Sequence, residues 1–267
     1  MQNKIIIELF GLSGSGKTSL ANTIKSNYND LNIKTYSKVF SGKLLHRRAN
    51  FDNRGIIYSG MVVKDVFACL SSYAIHQHFK EVKVIILLRN PFDVVRSKER
   101  TAQRGWLWPT DLSVYTSNKS LLKRMNPQQI LLIDKIAKNG NFIEKQMVHW
   151  TLSYFIMLNS FASDSYYLLF YEKMESAPSE EAEKIRRFLG KETDFDIGSY
   201  TSEQLEKASR TLKTSSQDSN WESKIKNTFQ ESELKTMKEL IECFSLTKLY
   251  GLDGLQQYSD GVKEIYS

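Results

Sequence analysis

Eight consecutive residues, Gly11-Leu12-Ser13-Gly14-Ser15-Gly16-Lys17-Thr18, fit G-x-x-x-x-G-K-[S/T] at every fixed position. The spacing has a direct physical reason. Glycines let successive backbone N–H groups close around a phosphate, and the start of the following helix adds a favourable dipole. Lys17 reaches the distal anion, and the Thr18 hydroxyl suits Mg²⁺. Gly14, Ser15, Gly16, Lys17, Thr18 and Ser19 are therefore the expected cradle for a nucleotide-like anion. Lys17 is also the cation placed to act on charge during a reaction.

A second constellation follows the apolar run Val82 to Leu88, which ends in Arg89-Asn90-Pro91. An ordinary nucleotidase of this class carries an Asp there to organise Mg²⁺. An Arg in that place sits at the carboxyl edge of the sheet, where open α/β sheets bind ligands. Its guanidinium offers a bidentate fork for a further phosphate. The guanine signature N-K-x-D is not formed, because Asn118-Lys119 is followed by Ser120-Leu121.

These groups need elements to hold them. Lys4 to Phe10 reads as a strand, Gly11 to Thr18 as a loop and Ser19 to Tyr28 as a helix. Asn32 to Phe40 is a second candidate strand, Arg54 to Ser59 holds Ile56-Ile57-Tyr58, and Met61 to Phe79 has helical spacing. Val82 to Leu88 is nearly all β-branched or aliphatic, as a parallel strand buried on both faces should be. Pro91 then opens a helix after Asn90 as N-cap. Lys98 to Asn141 is mixed, with a loop at Trp106, Trp108 and Pro109; Phe142 to Phe161 is a long helix and Tyr166 to Tyr171 another strand. Ser179 to Leu189 is an amphipathic helix ended by Gly190, Ser215 to Asn220 a polar loop, and Ser232 to Leu246 the last helix. Strands alternating with helices predict a three-layer α/β/α P-loop fold with a central parallel sheet. With neither linker nor repeat, residues 1–267 are expected to form a single domain, with a helical insertion at about 98–160.

The segment Arg89-Asn90-Pro91-Phe92-Asp93-Val94-Val95-Arg96-Ser97 resembles the 3′-phosphate motif of sulfotransferases that use 3′-phosphoadenosine 5′-phosphosulfate (PAPS). The resemblance implies that Arg89 and Ser97 hold that phosphate. Tyr166 to Met174, then Pro178, Ile185 and Phe188-Leu189-Gly190, is similar to the family's strand–"Y-E-D-L"–Pro–"I-x-x-F-L-G" block. Trp221 to Phe229, leading to the helix at Ser232, is similar to its carboxyl-terminal segment. The ordered landmarks span residues 5 to 250. The loop itself departs from the family. Its cation is Lys17, with Gly14 where a sulfotransferase has Lys or Arg, so Phe10 to Ala21 looks more like the Walker A loop of adenylylsulfate kinases.

The expected function is that of a transferase moving a sulfuryl group from PAPS to a hydroxyl or amine of an acceptor, such as a glycan or a small metabolite. Lys17 would steady charge on the leaving oxygen. His46, after the second candidate strand, and Asp65, in the helix following Tyr58, are the candidates for the general base. The family's basic His has no counterpart near Tyr58-Ser59-Gly60. His149, beside Trp150 in a long helix, is expected only to pack there. The first alternative is an ATP- and Mg²⁺-dependent small-molecule kinase, which the intact Lys17-Thr18 favours. The second is a non-catalytic nucleotide-binding protein.

Composition bounds these readings. Lys and Arg number 37 against 30 Asp and Glu, a net charge of +7 that suits an anionic ligand. No basic run is interleaved with aromatics, so nucleic acid is not an expected partner. Cys69 and Cys243 have no metal-spaced neighbours and are expected to be buried small hydrophobes, with no metal site. The longest apolar runs are strand-sized, far short of the roughly 20 residues of a membrane helix. With no signal peptide ahead of the first strand, a cytoplasmic protein is expected.

Overall fold

The computed structural model describes residues 7–10, 62–64, 83–161, 165–189 and 221–251. Four strands are paired among them: β1 (Ile7–Phe10), β2 (Val62–Lys64), β3 (Lys83–Leu88) and β4 (Tyr166–Phe170). They form one parallel sheet in the order β2-β1-β3-β4. Ile7 faces Val62 on one side of β1 and Lys83 on the other, while Val84 faces Tyr166. The chain thus leaves β1 toward β2 and returns across it to β3, which reverses the strand order at β1. Such a reversal opens a crevice beyond the carboxyl ends of the strands. The α/β class and the parallel sheet are as the sequence indicates.

The helices are α1 (Pro91–Gln103), α2 (Ser113–Thr116), α3 (Lys119–Leu122), α4 (Pro127–Asn139), α5 (Phe142–Leu158), α6 (Tyr171–Ser176), α7 (Pro178–Leu189), α8 (Trp221–Thr228) and α9 (Glu231–Cys243). Two readings are corrected. Val62–Lys64 is a strand rather than the start of a helix, because the β-branched pair Val62-Val63 falls beside β1 and completes its ladder. The strand expected through Tyr171 stops at Phe170, and Tyr171 begins α6.

The chain's contacts fall into two compact units, 1–88 with 160–212, and 89–159 with 213–267. In the first, Val84 to Leu88 are fully buried, as a parallel strand flanked on both edges requires. α7 lays Ala182, Ile185 and Leu189 inward. Tyr167 Oη donates to Glu181 Oε2 at 2.9 Å, and its ring lies 5.7 Å from that of Phe188. On the solvent side Arg186 and Arg187 bond Glu183 and hold its carboxyl down at about 2.

The second unit is built around α5, which is buried on nearly every side. Trp150 is fully enclosed, with its ring centroid 4.9 Å from Tyr154 and 6.1 Å from Tyr250. Capping boxes start α5 at Asn141/Glu144 and α9 at Gln230/Glu233. Each box also braces the other helix: Asn141 Nδ2 donates to Glu233 Oε1 at 2.7 Å, and Thr236 Oγ1 donates to Glu144 Oε1 at 2.7 Å. Between α4 and α5, a Cβ at Gly140 would lie 2.6 Å from Ile136, so this close turn needs glycine. Cys243, expected to be buried, is half-buried at the end of α9, and burial together with Glu239 pushes its thiol pKa up. Cys69 lies outside the described residues.

Candidate functional site

β1 ends at Phe10, the residue before the glycine-rich motif, and β3 ends at Leu88, the residue before Arg89. The two strands are neighbours, with Phe10 paired to Ile86. In sequence, the glycine-rich motif and Arg89 each follow the carboxyl end of one of these two adjacent strands. Gly14, Ser15, Gly16, Lys17, Thr18 and Ser19, and the candidate bases His46 and Asp65, lie outside the described residues.

Arg89 and Ser97 are described. The turn that carries them is closed by Asn90, whose Oδ1 accepts from Phe92 N at 2.9 Å and from Asp93 N at 3.4 Å. Pro91 follows at the first helical position, where its fixed φ costs nothing and its missing N–H would have been unpaired anyway. Trp150 Nε1 donates to the Arg89 carbonyl at 3.1 Å, so α5 holds the Arg89 backbone from inside the unit.

The Arg89 side chain is 8% exposed, and its Nη2 lies 3.8 Å from Asp93 Oδ2. Asp93 is one turn before Ser97 on α1, and Arg89, just ahead of the Asn90 cap, reaches back to Asp93. Asp93 also sits in the first turn, where a carboxylate is favoured by the helix dipole. Ser97 is half-buried, and its hydroxyl has no hydrogen-bond partner among the described residues. The arrangement can present a planar cationic fork and a hydroxyl, two turns apart, to one anion. Asp93 was not singled out from the sequence. Its signal was its place four residues after Arg89. Trp150 had no local signal, since its partner lies 61 residues away.

A second polar group surrounds His149 on α5. Its Nδ1 is 2.9 Å from Tyr115 Oη, and their rings are edge-on at 5.3 Å. Its Nε2 has no hydrogen bond among the described residues. Burial and the Lys98 charge disfavour the charged ring more than the Pro109 carbonyl and Asp111 favour it, and lower the imidazole pKa to about 4. Lys98 is itself 5% exposed and donates to Gln146 Oε1 at 3.0 Å. His149 is thus a neutral packed imidazole at pH 7, as expected for a residue beside Trp150. Among the described residues no group of His, Cys, Asp and Glu could hold a metal ion, and no helix is long and apolar enough to cross a membrane.

A family model for the sulfotransferase domain matches residues 11–245. By sequence, no curated protein matches the chain. Among solved structures, the chain is similar to a sulfotransferase from Alicyclobacillus acidocaldarius, with 12% identity, a TM-score of 0.45, and 88% of this chain and 95% of that one covered. It is similar to a mouse sulfotransferase complexed with PAP, with 17% identity, a TM-score of 0.47, and coverage of 91% and 84%. It is also similar to the sulfotransferase domain of the Synechococcus olefin synthase, with 15% identity, a TM-score of 0.40, and coverage of 92% and 97%. The family model spans most of the chain, so the chain belongs to the sulfotransferase domain family and is a transferase that moves a sulfuryl group.

Proposed function

We propose that this member of the sulfotransferase family takes its sulfuryl group from PAPS and works as a single nucleotide-binding domain in the cytoplasm. The observation that carries the reading is the group Arg89, Asp93 and Ser97 after β3, a buried guanidinium paired to Asp93 and, on the capped helix, a hydroxyl unengaged among the described residues. Arg89 and Ser97 hold the 3′-phosphate, with Asp93 orienting the fork. Lys17 and the amides of Gly14, Ser15, Gly16, Thr18 and Ser19 hold the 5′-phosphosulfate in a Walker A loop. The acceptor oxygen or nitrogen attacks sulfur as the sulfur–oxygen bond to the 5′-phosphate breaks, and Lys17 steadies charge on the departing oxygen. His46 or Asp65 takes the acceptor's proton.

The test is thermal unfolding with adenosine 3′,5′-bisphosphate or with Mg-ATP, in the wild-type protein, Arg89→Ala and Ser97→Ala. A ligand at about 100 times its dissociation constant stabilises by roughly 2.7 kcal/mol. The bisphosphate should stabilise the wild type selectively, and Arg89→Ala should abolish that shift. Ser97→Ala, which disturbs no side-chain bond among the described residues, should weaken binding about tenfold. Unchanged bisphosphate affinity in both variants, or selective stabilisation by Mg-ATP, would overturn the donor assignment and return the intact Lys17-Thr18 pair to a kinase role.

A further inference from the structure

The carboxyl end of α1 is closed by a Schellman motif. Gly105 takes φ +87°, Trp106 N donates to Thr101 O at 3.0 Å, and Gly105 N donates to Ala102 O at 2.9 Å. Two further bonds fix the segment that follows. Trp108 Nε1 donates to Thr101 Oγ1 at 2.8 Å, and Pro109 O accepts from Gln146 Nε2 at 2.7 Å. The Trp106 and Trp108 rings stack at 6.2 Å with 21° between their planes. What this bracing holds out into water is apolar: Leu107 is 98% exposed and Trp106 64% exposed. The other large exposed apolar side chains among the described residues, Val114 and Leu131, stand singly on helices, which is ordinary for a protein surface. A tip anchored on both sides and aimed outward is not explained by the core.

The charge behind the tip is predominantly positive. Arg96, Arg100 and Arg104 recur every four residues along α1 and its C-cap. None of the three side chains makes an ion pair or hydrogen bond among the described residues. Partial burial first, and then the neighbouring charges of Arg96 and Arg104, lower the Arg100 pKa against the opposing pull of Asp93 and Glu99. Residues 96–124 hold seven Lys and Arg against two Asp and Glu, five of the chain's seven net positive charges.

We propose that the Trp106-Leu107-Trp108 tip and the Arg96/Arg100/Arg104 stripe form a docking surface for an anionic lipid membrane, with Leu107 and the outer indole entering the interface. The charge pattern selects a negatively charged surface, and the fully exposed aliphatic apex selects one with an apolar interior. A sugar would stack on the indole but would leave Leu107 in water. The inference stands apart from the nucleotide reading, because neither the tip nor the stripe enters it.

Co-sedimentation with vesicles of phosphatidylcholine alone, or of phosphatidylcholine containing phosphatidylglycerol, tests it. The protein should pellet with the anionic vesicles only, and less as salt is raised. Leu107→Asp should weaken vesicle binding about tenfold or more. Arg104→Ala should weaken it about fivefold. Both side chains lie on the surface, and thermal unfolding of the variants checks that the fold is kept. Failure of the wild type to pellet, or wild-type binding by Leu107→Asp, would overturn the proposal. So would Trp106-dependent retention on alginate by a protein that ignores vesicles, since the tip would then be a platform for acidic sugars.

Discussion

At the amino end of α1, Arg89 and Asp93 are each less than a tenth exposed and Asn90 closes the turn. At its carboxyl end, half-buried Arg100 and exposed Arg104 stand without ionic partners among the described residues, beside an apolar apex. The residue types are alike and the surroundings are not. A buried charge costs free energy unless other groups fix it, so the amino end is braced by Trp150, Asn90 and Asp93. An exposed arginine in water contributes little to folding and remains available to a ligand. The same helix therefore couples one end to the stability of its unit and leaves the other free for recognition.

Substitutions should separate the two ends by size of effect. Trp150→Ala removes the largest fully buried side chain among the described residues, its aromatic contacts and the donor to Arg89. It should cost about 3–5 kcal/mol in denaturant unfolding. Loss of less than about 1 kcal/mol would mean that the Arg89 backbone is held by other means.

Acid comes next. Unfolded histidine takes a proton near 6.5, whereas folded His149 resists it down to about 4. Stability from this group is complete above about 6.5 and is lost as pH falls toward about 4, a change of about 3 kcal/mol. His149→Gln keeps a partner for Tyr115 and should flatten that part of the stability–pH curve. A curve identical to the wild type would place the acid sensitivity elsewhere.

Asn90→Ala removes the cap of α1 and should cost about 1 kcal/mol, with a lower melting temperature as the readout. Arg104→Ala should leave stability within about 0.5 kcal/mol in the same measurement. If Arg104→Ala proved as costly as Asn90→Ala, the contrast between the ends would fail.

The sequence carried the amino end almost whole. Val84 to Leu88 is a continuous apolar run because both of its edges and both of its faces are covered. Asn90-Pro91 marks the helix start through side-chain chemistry that is entirely local. Other features were not legible. Nothing in the pattern around Lys98 distinguishes it from a solvated lysine, since its burial follows from Gln146 and the Trp108 ring. The Tyr115–His149 pair likewise joins residues 34 positions apart through tertiary packing. Val62–Lys64 misled because a helical period elsewhere in Met61 to Phe79 outweighed three residues whose conformation depends on a distant strand. The tryptophan tip was visible as composition, while its exposure, which gives it meaning, was not.

The parallel sheet has a consequence for how the chain is made. Ile7 finds its partners at Val62 and Lys83, and Val84 finds Tyr166, so no strand in this sheet pairs with a near neighbour in sequence. Contacts of such long range are slow to form, because loop-closure entropy must be overcome before the ladder stabilises anything. During synthesis, β1 emerges long before β3 can flank it, and β3 emerges long before β4. Nascent β3, the most apolar strand, waits with an open edge through the translation of α1 to α5. That interval is when the chain is most exposed to aggregation and most in need of a chaperone.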